Sequence, residues 1–590
     1  MFYKKLSYRD IGLWKRGSEL IATVWAPLSK KVEIEINSGR LLELQRNEYG
    51  IWEGALTPFD DDGEYCIILD KKEKLPDPAS KFLAHGVFGF STIVDFNLKN
   101  TMDKGINIDL RNAIIYELHT GTFSKSANFA GIMEKLDHLE KLGVNVIELM
   151  PIAQFEGSRN WGYDGVFPYA IQNSYGSISE LNQLIREVHS RNISIIIDVV
   201  YNHSGPRGNV LNKFGPYFSN KYKSPWGNTM NFDDQWSDYV RNFYIQNAIY
   251  WIDFFGFDGL RLDAIHGIYD NSPTHFLKEM RMEIDKYFRN SNKNPLLIAE
   301  SDANNSLTTS SIGQCGLGMD AQWCDDFHHS IHTYLSGESQ GYYSDYGESG
   351  HILNAMENGF VYRGEYSRFL ERTRGVKDTV FSPSKLIVFS QNHDQVGNRK
   401  NSDRNSSYLG KEKSLLFGAI CLLSPYVPMI FMGEEFFSKE HFRFFIDTDD
   451  STFAEIVRKG RKEEFSYFTD KVDIPAPNSY EAFKESKLQW GLLENNENLK
   501  YMNVYENLIA IRKKYKLGHG VRFEATFIGE MLNIQYFLSK DSKLLCTFNL
   551  SGNPVNINDI EGELILSSSD NISERSKIEA YGFNIVNCYN

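Results

Sequence analysis

A chain of 590 residues is too long for one ordinary core, although a barrel of strands and helices holds roughly 200 to over 400 residues as one unit, so two or three domains are expected. The net charge of −14 argues against a polyanionic partner, because nucleic-acid binding needs clustered Lys and Arg to displace counterions. The opening MFYKKLSYRDIGLWKRG has no apolar signal region, and no run of about 18 apolar residues occurs that would span a bilayer. Cys66, Cys315, Cys324, Cys421, Cys546 and Cys588 are scattered, with neither metal-site spacing nor the density of a disulfide framework. These features predict a soluble cytoplasmic protein with free thiols and with no nucleic-acid or membrane partner. Its 32 Tyr and 9 Trp offer flat faces for an uncharged or weakly polar substrate.

Residues 1–102 read as a β-sandwich module, since 19-ELIATVWAP-27 and 30-KKVEIEI-36 alternate as strands do, with turn signals at Asn47 to Gly50 and Asp60 to Gly63. From about Arg111 the texture changes. A short apolar strand, 113-AIIYEL-118, is followed by 131-GIMEKLDHLEKLG-143, which places Ile132, Leu136 and Leu139 on one helical face and ends at Gly143. Another buried strand, 144-VNVIELMP-151, comes next. The helix pattern of 181-LNQLIREVHS-190 feeds the strand 193-ISIIIDVV-200, and 240-VRNFYIQNAIYWIDFFG-256 feeds 257-FDGLRLD-263, with further strands at 296-LLIAE-300 and 386-LIVFSQNHD-394. Alternating strands and helices predict an α/β fold, and the absence of a Gly-rich phosphate turn after the first strand favours a (β/α)₈ barrel with inserted loops over residues 103–500. After about Tyr501, 532-LNIQYFL-538 and 543-KLLCTFNL-550 predict a second β-sandwich over residues 501–590.

The stretch 257-FDGLRLDA-264 sets two charges into a buried strand. Side chains alternate along a barrel strand, so Leu260 and Leu262 can face the helices while Arg261 and Asp263 face the lumen at the C-terminal end, where barrel active sites are built. A guanidinium beside a buried carboxylate holds it ionised, which a carboxylate nucleophile requires; a structural pair filling the barrel is the plain alternative. Asp198, Glu300 and Asp394 end other strands in the same way, which favours one shared cleft. Paired carboxylates about a bond are how glycosides are cleaved, and Trp161 and Tyr163 in 160-NWGYDG-165 are suited to a sugar face.

The blocks 198-DVVYNH-203, 259-GLRLDAIH-266, 297-LIAE-300 and 391-QNHD-394 resemble, in order and spacing, the four signature regions of the α-amylase family of retaining glycoside hydrolases. Over nearly the whole chain the sequence is similar to one branch of that family, on the stretches 75-LPDPAS-80, 116-YELHTGTFS-124, 160-NWGYDGVFPYA-170, 321-AQWCDDFHHSIHTYLSGE-338, 391-QNHDQVGNR-399, 457-VRKGRKEEF-465 and 486-SKLQW-490. The resemblance implies hydrolysis of the α-1,4 bond that joins a malto-oligosaccharide to a terminal trehalose, with a synthase making that malto-oligosyltrehalose substrate as the pathway partner. It implies no cofactor, with Asp263 as nucleophile, Glu300 as general acid and base, and Asp394 as the third carboxylate; no oxygen-rich loop marks a metal site, so no metal is expected. Arg261 would orient Asp263; Asp198, His203, His266 and His393 would shape the substrate site; and Tyr163 would stack on the reacting ring. A loop at 325-DDFHH-329 would bind the leaving group through Asp325, Asp326, His328 and His329. Glu300 should carry a raised pKa, and the carboxyls of Asp263 and Glu300 should lie about 5 to 5.5 Å apart. Two departures bear on leaving-group choice: Cys324 in place of a small amide, and 442-FRFFIDTDD-450 without a histidine. The alternatives are a glycogen branching enzyme, for which His-Asp-Glu would be expected where 393-HDQ-395 stands, another α-glucan hydrolase, and a non-catalytic glucan-binding protein.

Overall fold

The structure, a computed structural model, describes residues 5–37, 39–101, 105–224, 227–377, 382–464, 475–557, 561–569 and 577–589. Residues 102 and 103, where the first boundary is expected, and Phe465 of the 457–465 stretch lie outside the described residues.

Eight parallel strands close into a barrel: β1 (Ile115–Leu118), β2 (Val146–Leu149), β3 (Ser194–Val199), β4 (Gly259–Leu262), β5 (Leu296–Ala299), β6 (Ala321–Trp323), β7 (Leu386–Phe389) and β8 (Val427–Phe431). The lumen is layered by the two-residue strand period. Its lower part is an apolar plug that includes Ile115, Val146, Ile196, Ile298, Trp323, Ile387, Phe389 and Met429. Two residues further along β1, β2 and β3 stand Glu117, Glu148 and Asp198, and Glu300 follows Ile298 by the same step. Leu260 and Leu262 instead join the outer core with Leu181, Leu184, Ile185 and Val188 of the helix Ile178–Ser190. That helix starts at a capping box, Ser177 with Glu180, which fixes its entry from the preceding turn.

Before the barrel, two antiparallel sheets are built from strands between Gly12 and Thr92: one joins Gly12–Arg16, Glu19–Trp25, Ile51–Leu56 and Gln45–Arg46, and the other centres on Val32–Ile36 and Glu64–Leu69. After it, Phe523–Ile528, Met531–Phe537, Ser542–Asn549, Phe583–Tyr589 and Glu563–Ser567 form a five-stranded sheet beside a two-stranded one. The expected start of the last module at Tyr501 falls inside a helix, Asn496–Tyr515, capped by Asn495 and burying Tyr501, Met502, Tyr505, Leu508 and Ile509. The helix expected over 131–143 is split into Phe129–Met133 and Leu136–Leu142, with Gly143 closing the second at φ +94. Among the described residues no helix is long and apolar enough to cross a membrane.

Candidate active site

Arg261 is the hub of the upper lumen. Its side chain is wholly buried; Nη1 donates to Asp198 Oδ2 at 2.5 Å and to Asp263 Oδ1 at 3.0 Å, and Nη2 donates to Glu300 Oε2 at 2.7 Å. The guanidinium lies 4.1 Å from the Trp323 ring centroid, so the floor beneath it is aromatic. One delocalised cation thus serves three carboxyls from the ends of β3, β4 and β5, a task for a planar fork rather than a point charge.

Burial and the charge of Glu300 push the Asp263 carboxyl well above the usual range, against the pull of Arg261. Burial acts on Glu300 in the same sense, but Arg261 and the Ala264 N–H, which donates to Oε2 at 2.8 Å, hold it below its ordinary value. This differs from the expectation of a raised Glu300. Two donors, Arg261 Nη2 and the Ala264 N–H, meet on Oε2 of Glu300, which is why the two neighbouring carboxyls are shifted in opposite senses. Asp394 is raised chiefly by burial, and Asn398 Nδ2 donates to its Oδ1 at 3.0 Å.

His393 is clamped from below by Glu117, whose Oε1 lies 2.6 Å from Nδ1 and whose Oε2 accepts the His393 backbone N–H at 3.0 Å. Burial works against its charge, but Asp394 and Glu117 raise it to about 9. Tyr163 donates its hydroxyl to Asp198 Oδ2 at 2.7 Å and stacks on His393 with ring centroids 5.1 Å apart. One of its faces is therefore already engaged. His203 Nε2 donates to the Tyr163 carbonyl at 2.9 Å, and burial lowers its pKa to about 4, leaving it neutral. His266 stands at the rim, 38% exposed, with Nδ1 3.8 Å from Asp302.

The 325–329 segment is no loop. It opens the helix Asp325–Ser336, directly after β6. Asp325 and His329 line an open cavity of about 260 Å³ together with Asp302, Tyr342, Arg374, Asp394, Gln395 and Asn398. Burial and the charge of Glu300 push Asp325 up to about 7, and Gln395 Nε2 donates to its Oδ1 at 3.3 Å. A glutamate at 395 would set like charges together there.

Asp326 and His328 do not line the cavity. Asp326 is completely buried and accepts from the backbone N–H groups of Val361 (2.8 Å) and Tyr362 (2.9 Å), from Asn304 Nδ2 (2.9 Å) and from the Tyr346 hydroxyl (2.6 Å). Arg374 Nη2 lies 3.2 Å from its Oδ1. It staples the segment that follows the helix. His328 packs beneath His329, with their Nδ1 atoms 2.9 Å apart, and burial keeps both rings neutral. Cys324 is buried, its thiol donating to the Gly359 carbonyl at 2.9 Å, and it does not reach the cavity. In the 442–450 segment, Phe442 stacks on Trp161 at 5.0 Å, while the Arg443 carbonyl accepts the Trp161 indole N–H at 2.7 Å. Trp161 is accordingly fixed as packing.

Glu117 and Glu148 escaped the sequence reading, hidden in strands that look apolar. Their signal was positional, since each follows an apolar lumen residue by two, as Asp198 does. Tyr342 and Arg374 come from the long segment between β6 and β7, where no periodicity marks them. Among the described residues, no group of three or more His, Cys, Asp or Glu side chains could hold a metal ion.

A closed parallel barrel whose strand ends gather acids around one buried arginine is the architecture of the α-amylase class of glycoside hydrolases, and residues 118–226 match the family model described as alpha amylase, catalytic domain. The chain is 41% identical to a malto-oligosyltrehalose trehalohydrolase of Saccharolobus solfataricus over 92% of this chain and 93% of that protein, and 37% identical to one of Arthrobacter ramosus over 83% and 86%. A crystal structure described as a putative alpha amylase from Salmonella typhimurium is 32% identical and superposes with a TM-score of 0.89 over 98% of this chain and 99% of that one. The chain belongs to the malto-oligosyltrehalose trehalohydrolase family.

Proposed function

We propose that the protein hydrolyses the α-1,4 bond next to the terminal trehalose of malto-oligosyltrehalose, releasing trehalose and a shortened malto-oligosaccharide. The observation that carries this reading is the single Arg261 guanidinium bonded to both Asp263 and Glu300 at the barrel mouth. One guanidinium bonded to both carboxyls brings them to the same bond of a bound glucan, as a retaining pair needs. A glucose ring seated over Asp263 with its glycosidic oxygen toward Glu300 favours the tautomer with charge on Asp263, because the anomeric carbon becomes positive as the bond breaks. The Asp263 carboxylate then bonds to that carbon while Glu300 protonates the departing oxygen. Water, giving its proton back to Glu300, attacks the glycosyl ester and frees the malto-oligosaccharide with its anomeric configuration retained. Asp394 grips sugar hydroxyls, and Asp198, His203 and Tyr163 shape the reacting subsite.

The cavity beside Asp325, His329 and Arg374 receives the trehalose. A site built to satisfy hydroxyls rejects a ligand that leaves its polar groups unpaired, whereas an apolar pocket discriminates weakly. Residues 1–102 serve as a glucan-binding-like module, and residues 501–590 carry the carboxy-terminal β-sandwich, whose strands begin at Phe523 after the helix Asn496–Tyr515. A synthase that makes malto-oligosyltrehalose supplies the substrate, and six free thiols support a cytoplasmic setting.

Chromatography of the products from malto-oligosyltrehalose, beside an Asp263→Ala control, tests the reading. Free trehalose from wild type alone supports it. Branching of amylose with loss of iodine colour would assign a branching enzyme, and maltose and glucose from starch without trehalose would leave a hydrolase of other specificity.

A further inference from the structure

On the side of the mouth away from Asp325, an aromatic ring stands that the acids and their neighbours do not use. Phe88 follows the strand Glu73–Leu75 and precedes the barrel, and it is 66% exposed. Single exposed apolar residues are ordinary. Phe88 differs in being clamped in place. Gly208, at φ +75, sits so near Val87 that a Cβ there would come within 2.5 Å of it, and Asn173 Nδ2 donates to the Ala84 carbonyl at 3.1 Å. The Arg207 guanidinium lies over the Phe88 ring at 5.4 Å. Arg207 is itself tied to Glu156 at 3.2 Å and to Asp450 at 2.8 Å. Segments that follow β2, β3 and β8 thus converge under one exposed ring. From Arg207 the chain runs back through Gly205, whose N–H donates to the Gly165 carbonyl at 3.1 Å, to His203 and Tyr163. The cavity beside Asp325 is lined instead from the segments after β5, β6 and β7.

We infer that Phe88, backed by Arg207, is a stacking platform for a distal glucose ring of the α-1,4-glucan, outside the reacting subsite. The inference rests on the glycosidase reading above: if trehalose leaves over β5 to β7, the malto-oligosaccharide extends across the opposite rim, where Phe88 stands. Glucose presents a face of C–H bonds ringed by hydroxyls, and a fixed aromatic plane accepts that face while the hydroxyls stay in water. The guanidinium on one face, held by two carboxylates, keeps the ring from turning and leaves the exposed face to the sugar.

Calorimetric titration of maltoheptaose into Asp263→Asn protein, with and without Phe88→Ala, tests the platform apart from turnover. Loss of the ring should weaken affinity about fivefold, while Phe88→Trp should keep it. In the active enzyme, the ratio of kcat/KM for maltopentaosyltrehalose to that for maltosyltrehalose should fall by a similar factor in Phe88→Ala. An unchanged affinity, or an unchanged ratio, overturns the inference. If wild type releases no trehalose, the reaction reading fails, and the maltoheptaose affinities alone then decide the platform.

Discussion

Glu117 grips His393 twice, accepting its backbone N–H at 3.0 Å and lying 2.6 Å from its Nδ1, so the imidazolium is fixed directly behind Asp394. With the folded pKa raised to about 9, the histidine charge stabilises the fold fully below the ordinary value near 6.5, and this contribution is lost as pH rises through 9. Unfolding by urea should therefore show stability falling between about pH 6.5 and 9 in wild type, in step with turnover. Glu117→Gln should move the loss to lower pH and cost about 3–5 kcal/mol at pH 6, since it leaves a buried charge with half its support. A variant with the wild-type pH profile would remove Glu117 from this role.

Glu300→Gln keeps the shape of the side chain but can neither donate nor take up the proton. Turnover should fall about 10²–10⁴-fold, with binding of malto-oligosyltrehalose within a few-fold of wild type. Equal losses in binding and rate would count against the assignment.

Asp326 and His329 should separate cleanly. Asp326→Ala strands the donors of Val361, Tyr362, Asn304 and Tyr346, and about 3–5 kcal/mol of stability should go with it, read as a lower melting temperature. His329→Ala, which removes a buried ring from the cavity wall and its bond to His328, should cost about 1–3 kcal/mol and narrow the preference for malto-oligosyltrehalose over plain maltodextrin. Unchanged selectivity in His329→Ala would place the determinant elsewhere on the cavity wall.

Gly397 stands three residues past Asp394, where an added Cβ would meet the Trp161 ring at 1.9 Å. Trp161 touches His393 edge-on at 5.6 Å, so Gly397→Ala must displace the packing behind the reacting subsite. The substitution should cost about 1–3 kcal/mol and lower kcat more than it raises KM. Wild-type kinetics would show that the ring can move without consequence.

The sequence by itself determined what is local in period. Six of the eight barrel strands were legible as short apolar runs, because a buried parallel strand must be apolar on both faces and an acid at its C-terminal end breaks that rule visibly. The same alternation alone places Arg261 and Asp263 in the lumen. β6, three residues long, and β8, which carries Pro428, were too short or too irregular to stand out, and the 325–336 helix was hidden behind a motif. Only the tertiary structure decided the rest. Asp325 faces the cavity while its neighbour Asp326 turns inward, and that division depends on the amides of Asn304, Val361 and Tyr362, the Tyr346 hydroxyl and the Arg374 guanidinium rather than on the helix itself. Nor could spacing along the chain decide which of the two carboxyls, Asp263 or Glu300, is raised and which is lowered. That is settled by Arg261 and the Ala264 N–H meeting on Glu300, because Coulomb and hydrogen-bond energies depend on distances in space, and those exist only once β3, β4 and β5 are side by side.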